Sequence, residues 1–553
     1  MSRSTLLYLI AAGIVAYLYG FPTNGLSHFD EGQYAFARVW PWIDKFDVDQ
    51  AFFSPPLYPF LVGLVQHFPI SRPDLAGVYI SWAACWASLY FGVKLAVAWW
   101  GRSAALPAFV LLLFSPMRLA FGTIGLTDAL FSMLILATLL ASTKAFHDGS
   151  TKWTILTGLL AGSTWNCKYN GFITLAIIAG FFLHQRTARS FVRWLVICVI
   201  AAAMIVPWFW AVHTHHPEGI AALQKHQQGY LRGLTAASVA EDLVLLFNLR
   251  SDVPGPSVFI ACWVLLGAAL YSRRPSVGLI ALSFLLAAEE CTASRLFPIL
   301  AIVALPISLV YASPLVRAPI ALGVVLTTIL PGIYTPYLRL WLPAEYVLLL
   351  VIAGAVASAD RISMTVQANR ILAVVVGLVL LVPSTIKVYV PLSNVLPSRL
   401  PEAVWQAHLW LDNARRPVRT IEGYRLAAEN LIDRANAQNV ERLLVYGRPP
   451  LLYYFAHGKL RAPAQRLPDE RLQLEQFSPE SMLVADIAVR DSRRMTDSIN
   501  EGRQKRILQR MDGWWVTPHP VTMLDDFGRF DYQDVREYKI NQYRIASFRG
   551  SNP

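Results

Sequence analysis

The sequence predicts a polytopic all-α membrane bundle of about thirteen spans with a small soluble α/β domain at its C-terminus. Two observations carry that expectation. Of 553 residues, 55% are hydrophobic and only 15% charged, with a mean hydropathy of +0.43, which is too apolar for a string of water-soluble domains. The charge is also concentrated at one end: residues 401–553 hold 23 of the 48 Lys and Arg and 20 of the 36 Asp and Glu. We therefore divide the chain into a membrane domain, 1–395, and a water-exposed domain, 396–553.

A spanning helix needs about 20 mostly apolar residues. Candidate spans lie near 5–20, 76–99, 104–121, 127–143, 153–166, 170–184, 191–212, 256–272, 276–290, 296–312, 317–333, 343–359 and 370–390. The first follows Arg3 and resembles a signal peptide, but an acidic pair comes so soon after it that it reads as an uncleaved signal anchor. With the N-terminus inside, each inner loop carries a cation, among them Arg102, Lys144, Lys152, Arg186, Arg273, Arg317 and Arg361. This positive-inside bias explains the net charge of +12 better than a nucleic-acid partner does. It also puts the outer loops 21–75 and 213–255, and the C-terminal domain, on the non-cytoplasmic side of what reads as a bacterial inner membrane.

In the soluble part, Trp405 to Ala414 and Arg425 to Ala437 have helical spacing, while Arg442–Gly447 and Met482–Val489 read as buried strands. No P-loop or GxGxxG turn accompanies them, so no nucleotide site is argued. The five cysteines lie in or beside apolar runs without CxxC spacing and read as small core residues.

The polar residues of the outer boundary are the informative ones. Directly after the first span stands His28-Phe29-Asp30-Glu31-Gly32-Gln33-Tyr34, and adjacent acids at a membrane surface are costly unless they act. Their bland role is to cap the short helix that follows, through its N-terminal dipole. Arg118, Lys168 and Arg295 are nearly solitary cations at outer span ends. Singly, each reads as a side chain snorkelling to lipid headgroups. Converging on a face with Asp30, Glu31 and Asp128, they point to an anionic group such as a lipid phosphate. The 213–255 loop carries His213, His215, His216 and His226 and is long enough to cover a cleft. Its histidines lack matching carboxylates, so a divalent metal is left open and no organic cofactor is implied. Pro331 to Pro343, with Tyr334, Tyr337, Arg339 and Trp341, reads as an interfacial aromatic belt.

The ordered series resembles a known family. It runs Asp30-Glu31-x-x-Tyr34, Pro55-Pro56-Leu57-Tyr58, Arg118, Leu126-Thr127-Asp128, Lys168-x-x-Gly171 and Ser294-Arg295-Leu296-Phe297-Pro298. In order and spacing it is similar to the C-type membrane glycosyltransferases of the dolichyl-phosphate-mannose protein mannosyltransferase superfamily, which includes bacterial lipid A aminoarabinose transferases. Lys168-Tyr169-Asn170-Gly171 stands where the family commonly has Lys-Gly, and Arg295-Leu296-Phe297 where it has Arg-Tyr-Leu.

The resemblance implies an inverting transferase that moves a sugar from a polyprenyl-phosphate donor to a hydroxyl on a lipid, glycan or protein acceptor at the outer face. It implies Asp30 as the base, with Glu31 orienting the loop or binding substrate beside it. It further implies Lys168 with Arg118 or Arg295 at the donor phosphate, and Tyr34, Tyr58, Asp128 and His226 at the substrates. Two rivals come from other classes: a transporter or flippase of lipid-linked sugars, which would need ionisable groups in mid-bilayer, and a non-catalytic assembly protein.

Overall fold

The computed structural model describes residues 8–10, 12–13, 26, 29–35, 54–69, 72–113, 115, 118, 121–122, 124–215, 217–228, 296–333, 338–358, 423–437, 439, 441–446, 449–466, 481–486, 512–517 and 544–547. Within them the N-terminal part is helical. The elements are α1 (Phe29–Ala35), α2 (Leu57–His67), α3 (Ala76–Trp100), α4 (Ala105–Leu113), α5 (Thr127–Asp148), α6 (Thr151–Cys167), α7 (Ile173–Gln185), α8 (Ala188–His215) and α9 (Gly219–Gln228), then α10 (Leu296–Tyr311), α11 (Pro314–Ile333) and α12 (Leu342–Ser358). The expected spans near 76–99, 127–143, 153–166, 170–184, 191–212, 296–312, 317–333 and 343–359 coincide with helices; those near 256–272, 276–290 and 370–390 lie outside the described residues.

Among the described residues four helical stretches, Pro73–Trp100, Thr127–Asp148, Ala188–His215 and Arg339–Ser358, are long and apolar enough to cross a membrane, as befits an integral membrane protein. They occupy different depths in the bundle. The Thr127–Asp148 and Arg339–Ser358 stretches are almost wholly enclosed by neighbours, whereas α8 turns Val192, Val196, Val199, Val206 and Trp210 outward, a stripe suited to acyl chains. The other side of α8 lies against α6, where Gly158 and Gly162, spaced one turn apart, leave no room for a side chain beside Ile200 and Met204. Small residues at this spacing let membrane helices approach closely.

The central layers are α5 between α3 and α6, α10 against α12, and α7 against α11. Among the described residues the bundle's core is chiefly one large apolar cluster, stitched by indole donors. Trp99 Nε1 donates to Thr143 Oγ1 at 2.9 Å and Trp100 Nε1 to the Ser308 carbonyl at 3.0 Å. Near the N-terminus the Tyr8 ring stacks on Phe109 at 4.4 Å; most of the expected signal anchor lies outside the described residues.

Toward the C-terminus, α13 (Gly423–Ala437) and α14 (Pro449–His457) accompany a sheet of β1 (Arg442–Tyr446), β2 (Ala464–Arg466), β3 (Ser481–Asp486), β4 (Asp512–Thr517) and β5 (Arg544–Ser547). Strand order is β2-β1-β3-β4-β5, parallel except for the antiparallel β4/β5 pair. The expected strands coincide with β1 and β3 and the Arg425–Ala437 helix with α13, while Trp405–Ala414 lies outside the described residues.

The segment expected as the 213–255 loop opens differently. His213 and His215 belong to the last turn of α8, and α9 follows at once, because Pro217 ends one helix and the next restarts two residues later. Among the described residues, no group of three or more His, Cys, Asp and Glu is placed to hold a metal ion.

Candidate active site

The acidic pair sits in the first turn of α1, where carboxylates offset the helix dipole, and its two members face different partners. Glu31 is buried, and its Oε1 accepts the N–H of Gly125 at 2.5 Å. That contact joins α1 to the segment that opens α5. Gly125 permits it by lacking a side chain: a Cβ there would meet Glu31 Oε1 and the Gly77 backbone, both at 3.2 Å. The same junction is secured by Tyr58, fully buried on α2, whose hydroxyl donates to the Gly77 carbonyl at 2.9 Å and lies 3.1 Å from Ser81 Oγ. Ser81 in turn donates to the Leu126 carbonyl at 3.0 Å. Backbone polar groups just before α5 are thus held by side chains of two other elements, α1 and α3, while α2 holds the start of α3.

Asp30 faces the other way. Its Oδ2 accepts from Arg339 Nη1 at 2.5 Å, and the two side chains are 22% and 23% exposed. Arg339 lies in the short 3-10 turn Leu338–Trp341 that leads into α12, with Trp341 buried behind it. A second ion pair stands nearby. Asp128, in the first turn of α5 and 2% exposed, binds Lys168 Nζ at 2.5 Å. Lys168 is presented by a helix break: α6 stops at Cys167, the lysine is extended, and a 3-10 turn follows. Gly171 makes that break possible, since a Cβ there would sit 2.4 Å from the Thr164 carbonyl oxygen. The Lys168-x-x-Gly171 spacing is therefore the sequence of a tight reversal with a lysine at its apex.

Tyr34 lies between the pairs, close enough to feel the charges of Asp30, Arg339 and Asp128. Its hydroxyl shares a hydrogen bond of 2.7 Å with Ser54, and its ring meets Tyr58 edge-on at 4.9 Å. Burial first, then the Asp30 charge, pushes its phenol well above the ordinary range, so it stays a neutral hydroxyl. Two residues from Lys168, Asn170 Oδ1 is buried without a hydrogen-bond partner. An acceptor left so costs about 1–3 kcal/mol until a donor reaches it.

The expected residues thus separate. Asp30, Glu31, Tyr34, Tyr58, Asp128 and Lys168 are brought together. Arg118 is placed elsewhere. It is 1% exposed, and its guanidinium donates to the carbonyls of Cys85, Leu112 and Leu113 at 2.6–2.9 Å and stacks over Trp86. Cys85 is eight residues further along α3 than Gly77, about 12 Å at 1.5 Å per residue. The sequence puts Arg118 at a boundary because the third span reads as continuing to 121; the chain instead leaves α4 at Leu113 and turns the cation inward onto the carbonyls at that helix end. Arg295 lies outside the described residues, and His226 lies within α9, its side chain outside the described groups.

Arg339 is the functional candidate that sequence reasoning passes over. Its aromatic neighbours made it look like part of an interfacial belt. The criterion applied to Arg118 and Lys168, a solitary cation at an outer boundary, would have singled it out.

The C-terminal part completes the setting. Tyr454 on α14 accepts the Leu26 N–H at 2.8 Å and donates to Asp74 Oδ2 at 2.8 Å, and Asp74 is itself gripped by Arg72. Tyr453 is buried against Leu26 and Ala35. Burial and the adjacent Asp74 carboxylate push the Tyr454 phenol up, which keeps it a donor. α14 therefore lies directly on the helix that carries Asp30.

Comparison with known proteins bears on the fold that carries this geometry. Residues 54–210 match the family model described as Dolichyl-phosphate-mannose-protein mannosyltransferase. No curated protein matches the chain in sequence. Among solved structures, ArnT from Cupriavidus metallidurans in the apo state is similar at a TM-score of 0.53 and 15% identity, covering 94% of each chain. The same protein bound to undecaprenyl phosphate gives 0.52 with the same identity and coverage. The apo oligosaccharyltransferase of Archaeoglobus fulgidus gives 0.52 at 10% identity, covering 98% of this chain and 74% of that one. The chain is thus similar in sequence over 54–210 to the dolichyl-phosphate-mannose-protein mannosyltransferase family model, and similar in fold over nearly its whole length to ArnT.

Proposed function

We propose that this protein transfers a sugar from a polyprenyl-phosphate donor to an acceptor hydroxyl at the outer face of the membrane, with inversion at the anomeric carbon. The observation that carries the reading is the meeting, around Tyr34, of two carboxylates each paired with a cation, in a helical bundle whose fold relative binds undecaprenyl phosphate. A lipid-linked donor keeps its chain in the bilayer and needs cations where its phosphate emerges; Lys168 and Arg339 supply them.

In the step itself, the acceptor oxygen attacks the anomeric carbon from the face opposite the phosphate. The bond from that carbon to the phosphate oxygen breaks, its electron pair stays on the phosphate, and the acceptor's proton passes to Asp30. Lys168 meets the negative charge that grows on the leaving phosphate. Glu31 fixes α1 against Gly125, so Asp30 is held in place by its neighbour rather than by its own packing. Asp128 orients Lys168, and Asn170 offers an acceptor to a sugar hydroxyl. The C-terminal domain braces the acid helix through Tyr453 and Tyr454.

The test is a transfer assay with radiolabelled polyprenyl-phosphate sugars, coupled to mass spectrometry of envelope glycans and glycolipids in cells with and without the gene. Sugar appearing on an acceptor only with the intact gene supports the reading; equal glycan profiles and no transfer would remove it.

A further inference from the structure

We propose that the Asp30/Arg339 ion pair is an exchange latch: the donor's phosphate takes Arg339 over from Asp30, and only then is the carboxylate released to accept a proton. The inference rests on the transferase reading above and adds an order of events to it. A carboxylate held by a guanidinium is a weaker proton acceptor than one without such a partner, so the pair as it stands at 2.5 Å is a resting arrangement for a base.

The structure distinguishes this pair from the other one. The two cations are about equally exposed, Lys168 at 20% and Arg339 at 23%, but their carboxylates differ: Asp128 is sealed at 2%, in the first turn of α5, whereas Asp30 is 22% exposed, so only in the second pair can an acceptor hydroxyl reach the carboxylate once an anion has drawn the cation away. The two members of the latch are also unequally held. Asp30 has a short side chain on a helix pinned by Glu31 to Gly125 and covered by Tyr453 and Tyr454. Arg339 has a long one with more rotatable bonds, on the 3-10 turn whose Trp341 is buried.

Phosphate is the anion that suits such an exchange, because a guanidinium fork matches two phosphate oxygens as well as it matches a carboxylate. As the sugar leaves, the phosphate gains a second negative charge, so Arg339 is held more firmly by the lipid while Asp30 takes up the proton. Acceptor activation is thereby tied to the presence of the donor.

A double-mutant cycle on the full-length protein in lipid nanodiscs, with undecaprenyl phosphate as the titrated probe, tests the latch. Asp30→Asn removes the internal competitor and is expected to tighten binding by about tenfold, although it removes the base. Arg339→Gln is expected to weaken binding by about tenfold, and Arg339→Lys to restore part of it. In the Arg339→Gln background, Asp30→Asn is expected to change affinity by less than about twofold. Equal tightening in both backgrounds would mean simple charge repulsion and would overturn the latch, as would no tightening in either. Either result leaves the transferase reading standing if the wild-type protein still transfers sugar; a wild-type protein that neither binds the probe nor transfers sugar overturns both.

Discussion

Among the described residues, charge inside the bundle and charge at its rim are held in two different ways. Inside the bundle, Arg118 is wrapped by backbone carbonyls and an indole face, and Glu345, 1% exposed on α12, accepts from Ser115 Oγ at 2.7 Å, the same hydroxyl that receives the Arg118 N–H. At the rim, Asp30 pairs with Arg339 and Asp128 with Lys168, side chain to side chain. A cation bound by main-chain oxygens has partners that cannot leave without unwinding a helix. A cation bound by a carboxylate has a partner that another anion can replace. The first arrangement holds a fold together, and the second can perform work on a substrate.

Substitutions can break or sharpen that contrast. The largest effect is expected from Asp30→Asn, which should lower transfer by about 10²–10⁴-fold, the usual worth of a positioned base, with expression and thermal unfolding unchanged. Wild-type transfer by this variant would take Asp30 out of the base role. Arg118→Met comes next and acts on the other property. It removes one donor from each of three buried carbonyls, of which Cys85 keeps Ser88 Oγ and Leu112 keeps the Ser115 N–H, and should cost about 3–5 kcal/mol of stability, read as a fall in unfolding temperature and yield, while the folded fraction binds undecaprenyl phosphate as the wild type does. Weakened lipid binding at an unchanged unfolding temperature would erase the distinction between the two sites.

Lys168→Ala should lower transfer by about 10²-fold, chiefly in the response to donor concentration, with Asp128 left unpaired. The smallest change is Tyr454→Phe. It removes the hydroxyl shared by Leu26 and Asp74 and should cost about 1–3 kcal/mol locally, seen as faster amide exchange in α1 and a reduced kcat with KM little altered. Unaltered exchange in α1 would detach the C-terminal part from the site.

What the sequence disclosed follows the same physics. Residues whose chemistry is anomalous for their surroundings stood out, and most met in space: an acidic pair after a span, a lysine between two helices, an aspartate opening another. Arg118 was legible as unusual and not as structural, because nothing in the local pattern tells where a chain will turn between α4 and α5. Arg339 was obscured by Tyr334, Tyr337 and Trp341, which carry a strong interfacial signal of their own. Strands β1 and β3 could be read from continuous apolar runs, as parallel strands covered on both faces require. β4, with Asp512 and Gly513 at its start, offers no such run, and its place beside β3 is set by pairing.

The hydrogen bond between Leu26 and Tyr454 spans 428 residues of chain. At translation rates of about 5–20 residues per second, roughly 20–90 s pass between synthesis of the acid helix and synthesis of the tyrosine that braces it. A nascent copy whose helices have already entered the bilayer thus lacks its final brace on the helix that carries Asp30 and Glu31, and the ribosome sets the earliest moment at which the finished geometry can exist.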